Sequence, residues 1–232
     1  MLKLYAVLGL LLFSAVPVLS AVPPVSAAKP PLCGMTITAS LTLAGDVGPC
    51  PAVGIIVGAA GITLNCNGFT ITGKGTNRGI DVIGGGDLVE NCVATSFEYG
   101  VFVTSTASHS IVSQNTATGN QYGFYVQGSV RLVGGYSTYT GNTAESNSNA
   151  GFYIYHSSYN TFTGNIAKNN GADGFALFHG ATHNQLISNS ADDNKGYGFQ
   201  NARPNGHGFS GNECSGNLGG GSSPTGLCAP QA

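Results

Sequence analysis

The chain has 232 residues, 42% of them hydrophobic and only 8% charged, with a formal net charge of −2. Its basic residues are few and scattered (Lys74, Arg78, Arg131, Lys168, Lys195, Arg203), which argues against the clustered phosphate contacts of a nucleic-acid binder. Glycine alone contributes 36 residues, and with abundant Asn, Ser and Thr this argues against helical repeats.

In chain order, residues 1–27 read as a secretory signal. Lys3 supplies a positive start, and Leu4 to Val18 form an apolar stretch too short to span a bilayer comfortably. Val25-Ser26-Ala27 offers a small-residue cleavage site, and Val18-Leu19-Ser20 a second. Residues 28–35 continue as a Pro-rich extended leader. No later apolar run has the length of a membrane span, so the expectation is a secreted or periplasmic protein. Six cysteines in an exported chain point to disulfides. Cys33 and Cys50 bracket the first strand pair and Cys214 and Cys228 the Gly/Ser-rich end, so each pair is expected to staple a terminal coil. Cys66 and Cys92 fall on stacked coils, where a bridge and two small buried thiols both remain open.

Residues 36–220 carry a repeat. Asparagines recur as pairs five apart, Asn115/Asn120, Asn142/Asn147, Asn165/Asn170, Asn189/Asn194 and Asn212/Asn217, and the first members are 27, 23, 24 and 23 residues apart. A period of this size marks a solenoid. A glycine followed by an apolar residue opens each unit: Gly100-Val101, Gly123-Phe124, Gly151-Phe152, Gly174-Phe175 and Gly198-Phe199. Val103, Val126, Ile154 and Leu177 follow two residues on, which is strand spacing. An apolar column (Val112, Tyr139, Phe162, Leu186, Phe209) and a small-residue column (Ala117, Ala144, Ala167, Ala191, Cys214) run beside the asparagines. The asparagines are expected at the corners, because asparagine tolerates left-handed backbone and, stacked coil upon coil, its amide can hydrogen-bond to its neighbours as an asparagine ladder. Residues 221–232 form a C-terminal tail or cap.

Ser157–Phe175 (SSYNTFTGNIAKNNGADGF) and His183–Asn194 (HNQLISNSADDN) resemble the repeats of pectate-lyase-like and NosD-like right-handed parallel β-helix proteins. Ile62–Gly73 (ITLNCNGFTITG) resembles a first-coil motif of the same superfamily. The resemblance implies an all-β fold, a right-handed parallel β-helix of about eight coils of roughly 23 residues and about 40 Å in length. It also implies that any enzymatic activity would be that of a polysaccharide lyase, epimerase or hydrolase, although the fold hosts inert scaffolds as well. Such enzymes use clustered carboxylates and a base. Here the acids are spread out, only Asp192 and Asp193 adjoin, and the Asp-Pro-His-Glu motif of alginate epimerases is absent.

Counting from each opening glycine, the outward positions of the following strand carry Phe102, Tyr125, Tyr153, Tyr155 and Phe178. Aromatic rings in register on a flat sheet form a stacking platform for sugar rings, so these five are the candidate carbohydrate-binding residues, and a polysaccharide or cell-surface glycan the candidate partner. Rings pairing across strands, or covered by the insertion 128–135, would be the purely structural alternative. The next position places His156 and His179 in consecutive coils, about 5 Å apart, as candidates for catalysis together with Asp173. They require no cofactor; Ca, Cu or Zn are the ions such a cluster would take, with Asp173, His183 or Asp192 as a third ligand. Three readings follow: an exported polysaccharide-binding β-helix, a structural or cell-surface interaction solenoid without catalysis, and a NosD-like periplasmic metal-related protein.

Overall fold

A computed structural model describes residues 32–129, 135–203 and 206–230. The expected signal segment and residues 130–134 of the insertion lie outside the described residues. Within them the chain forms 25 strands and no helix. These strands make three parallel sheets of nine, eight and eight strands, wound into about eight coils. Each full coil gives one strand to each sheet, so neighbours within a sheet are one coil apart in sequence.

The core follows the columns of the sequence. In the nine-stranded sheet Val101, Phe124, Phe152, Phe175 and Phe199 are in register and fully buried. The four phenyl rings stack at 4.6, 4.7 and 4.8 Å, the spacing of parallel strands. Val112, Tyr139, Phe162 and Leu186 form the second inward column, and Ala117, Ala144, Ala167 and Ala191 the third. Burial of each phenyl ring stabilises the stack by about 1.5–3 kcal/mol, which a single coil could not achieve alone. The opening glycines are set by close approach. A Cβ on Gly174 would lie 2.7 Å from the Gly198 carbonyl oxygen and 2.9 Å from Ala191 Cβ.

The paired asparagines form the stacked amide ladder expected of them, but they are not themselves the left-handed corner residues. All but the half-buried Asn217 are buried, and the left-handed residue is the one before: Gln114 (φ 54°), Ser146 (55°), Asn169 (56°), Ser188 (52°) and Asp193 (53°), or a glycine. The turn so formed points the asparagine side chain inward, along the solenoid axis. Asn165 Oδ1 accepts the Asn142 backbone N–H at 2.9 Å and its Nδ2 at 3.0 Å. Asn165 Nδ2 in turn donates to the Tyr139 carbonyl and to Asn189 Oδ1. Repeated from Asn115 to Asn212, this satisfies the backbone groups that a buried corner would otherwise orphan.

A third ladder runs at the remaining corner. Its members change identity from coil to coil: Asp87, Ser110, Ser137, Asn160, Asn184 and His207. Cys66 and Cys92, left open by the sequence, are bonded to each other, as are Cys33 with Cys50 and Cys214 with Cys228. Cys92 stands in the column of the first asparagines, since its N–H donates to Asn115 Oδ1 at 2.9 Å. The disulfide is a covalent rung where the later coils use amides. At the far end Gly220–Ser223 and Ala229–Pro230 add strands to two of the sheets, beside the Cys214–Cys228 bridge.

Candidate functional site

The outer face of the nine-stranded sheet is where the aromatic residues gather. Phe102, Tyr125 and Tyr153 are in register, and Gln127, Tyr155 and Phe178 form the next outward column. Tyr99 and Tyr122, each immediately before an opening glycine, make a further column. Phe102 and Tyr125 stack at 5.2 Å, and Tyr125 and Tyr153 at 5.1 Å. Beyond Tyr153 the register meets Ala176, and Phe178 leans across from its own column to stack on Tyr153 at 5.5 Å. Tyr99 and Tyr122 meet the central rings edge-on, at 5.2 and 5.5 Å.

The rings are therefore not the freely exposed platform expected from the sequence. Six of them are half-buried, and Phe102 is only 3% exposed. Part of each face is covered by a neighbouring ring, the cross-strand pairing of the structural alternative. Burial, then the hydrogen bond that its hydroxyl donates to Glu98, raises the Tyr99 pKa to about 12. Burial likewise pushes up Tyr122, Tyr125 and Tyr153, with neighbouring phenols and the charges of Glu98 and Asp173 adding to it. These four hydroxyls stay protonated at neutral pH, each able to donate and to accept.

The structure brings His156 and His179 together but not their supposed partners. Their rings lie 6.2 Å apart and are tilted by 39°, and both residues are left-handed corners (φ 54° and 48°). Tyr155 meets His156 edge-on at 4.4 Å. Asp173 lies at the opposite end of its strand, which spans about 13 Å, and its Oδ1 accepts the Tyr197 N–H at 2.7 Å. Burial raises its pKa, against the pull of that hydrogen bond. Asp192 belongs to a different sheet and accepts from Ser190 and Ser215. His183 stacks on Tyr159 at 4.9 Å, within an outer corner stack of His109, Tyr136, Tyr159 and His183. Among the described residues, no three His, Cys, Asp or Glu side chains are placed to hold a metal ion.

Sequence reasoning missed the polar end of the aromatic face. Arg78 and Asp81 occupy the coil before Phe102, in register with Tyr99 and Phe102. Arg78 Nη1 donates to both carboxylate oxygens of Asp81, at 2.9 and 2.8 Å. The guanidinium carbon lies 3.6 Å from the centroid of the Phe102 ring. Asp81 is 7% exposed, and burial raises its pKa although Arg78 pulls it down. The signal was in the text of the chain, as Arg78, Tyr99 and Tyr122 each precede a strand-opening glycine.

A stacked, three-sheet coil with amide ladders and one aromatic face defines a parallel β-helix. Residues 53–221 match the family described as a right handed beta helix region, and the chain belongs to that family. Among solved structures, the A-module of the mannuronan C-5 epimerase AlgE6 from Azotobacter vinelandii is similar over 89% of this chain and 86% of that one. The identity is 15% and the TM-score 0.40, a likeness of fold alone. No curated protein matches the chain. Three disulfides fit an oxidising compartment, and among the described residues no helix is long and apolar enough to cross a membrane.

Proposed function

We propose that this protein binds a polysaccharide along the outer face of its nine-stranded sheet, as an exported, carbohydrate-associated β-helix. The observation that carries the reading is the confinement of seven clustered rings, five of them phenols, to one outer face. Rings spaced by about one coil rise offer apolar edges and neutral hydroxyls in a regular row. A sugar polymer presents the complementary pattern of C–H surfaces and hydroxyl groups. The partner would lie along the solenoid axis, across the four coils from Tyr99 to Phe178, a track of about 20 Å.

The test is retention on a glycan array. Tyr153→Ala and Tyr155→Ala are each expected to weaken retention about two- to tenfold, the worth of an aromatic contact. The circular dichroism of both variants should match the parent. A parent protein retained by no glycan would leave the scaffold reading standing, favoured as it is by the rings' contacts with one another.

A further inference from the structure

The outer face is closed at its N-terminal end by a device that packing alone does not require. The column that holds Phe102, Tyr125 and Tyr153 carries Ile56 and Asp81 in the two preceding coils. A carboxylate in that place is almost fully buried, beside an aromatic ring. Burial of a charge is unfavourable unless it is paired, and an apolar residue such as Ile56 would avoid that penalty. Asp81 holds Nη1 of Arg78, whose guanidinium carbon lies over Phe102. Of the five N–H groups of an arginine, those on Nε and Nη2 meet no acceptor among the described residues, and the Arg78 side chain is 34% exposed. A planar donor fork thus sits at the end of the row of phenols, with Asp81 beside it.

Resting on the binding reading above, we infer that Arg78 and Asp81 are the polar subsite that makes this face select an uncharged sugar bearing adjacent hydroxyls over a uronate. Two neighbouring sugar oxygens can accept from the fork. A ligand carboxylate is disfavoured at the same place. Asp81 already occupies one side of the guanidinium and offsets its charge, so a ligand carboxylate would meet a neutralised Arg78 with a like charge beside it. Like charges within about 4–6 Å oppose one another. Arg78 touches the sugar; Asp81 positions Arg78 and supplies the repulsion.

Affinity electrophoresis of the intact protein tests this, with hydroxyethyl-cellulose and galactomannan as neutral polymers and polygalacturonate and alginate as uronate polymers. The parent is expected to be retarded by a neutral polymer at about tenfold lower concentration than by either uronate, and Arg78→Gln to lose about tenfold of that retardation. Arg78→Lys, which keeps the charge without the fork, should lose most of it too, and serves as the readout if Arg78→Gln does not fold. Asp81→Asn should narrow the discrimination against uronates. Stronger retardation by a uronate overturns the inference, as does retardation that Tyr153→Ala weakens and both Arg78 variants leave unchanged. A parent retarded by none of the four polymers overturns this inference and counts against the binding reading itself.

Discussion

Asn169 and Asn170 are adjacent, identical in type and opposite in duty. Asn169 is exposed and left-handed, with φ of 56°; Asn170 is buried in the second ladder. Asn170 Oδ1 accepts the Asn147 N–H at 3.1 Å and Nδ2 at 3.0 Å, and its own Nδ2 donates to the Ala144 carbonyl and to Asn194 Oδ1. Asn170→Ala leaves two buried donors of Asn147 without an acceptor and removes a donor from Ala144. At about 1–3 kcal/mol for each orphaned group, the expected loss is about 3–5 kcal/mol. In a chain of this length that lowers the unfolding midpoint by about 6–20 °C. Asn169→Gly keeps the left-handed turn without a Cβ and should change stability by less than about 0.5 kcal/mol. Equilibrium urea unfolding followed by far-UV circular dichroism, with the disulfides intact, reads both. A loss below about 1 kcal/mol for Asn170→Ala, or equal losses for the two variants, would refute the division of labour.

Three further outcomes are expected. Gly174→Ala, whose Cβ would meet the Gly198 carbonyl at 2.7 Å, should destabilise by about 1–3 kcal/mol in the same urea assay, and a neutral result would sink the close-approach account. His207 Nδ1 accepts the Asn184 N–H at 3.1 Å, and burial holds the ring below its ordinary 6.5, with His183 pulling the same way and backbone bonds opposing. The unfolded chain then binds the proton more readily, so this contribution is full above 6.5 and is lost as pH falls below it. His207→Asn, which keeps a side-chain acceptor, should flatten the decline in unfolding temperature between about pH 7 and pH 5, and an unchanged slope would count against it. Lys168 and Glu145 pair at 3.2 Å with side chains 41% and 35% exposed, so Lys168→Met should shift stability by less than about 0.5 kcal/mol. A drop above about 1 kcal/mol would mean the pair is more than a solvated contact.

Much of the architecture was legible because the chain repeats itself. Period-two spacing after the glycines placed Phe152 and Ile154 inside and Tyr153 and Tyr155 outside, as found. The same alternation failed just before the glycine: Tyr99 faces outward while Val101 is buried, as is Gly100 between them. That break in the alternation hid two of the seven rings, Tyr99 and Tyr122, and Arg78 with them. The third ladder stayed hidden for another reason. Serine, asparagine, aspartate and histidine all supply a side-chain acceptor to the same buried N–H, so the chemistry persists while the letter changes. The left-handed corners were assigned to the wrong asparagines because one residue type suits both a strained turn and a buried amide ladder. Only burial distinguishes Asn169 from Asn170.

The ladders also set how such a chain can change in length. Each rung joins the backbone and amide N–H of one coil to Oδ1 of the next, while the amide's second N–H returns to a carbonyl of the coil before. The coil from Asn115 to Asn142 is 27 residues long and the following one 23, yet the rungs across them differ by only about 0.1 Å, at 3.0 and 3.1 Å against 2.9 and 3.0 Å. Extra residues are taken up in the loop between Gln127 and Thr138, where they leave the rungs untouched. Lineages of this protein can therefore gain or lose whole turns by duplication and deletion, since each cut end presents the same donors to the same acceptor. A change of one residue within the five from Asn165 to Asn170 has no such escape, because it would unseat two rungs at once.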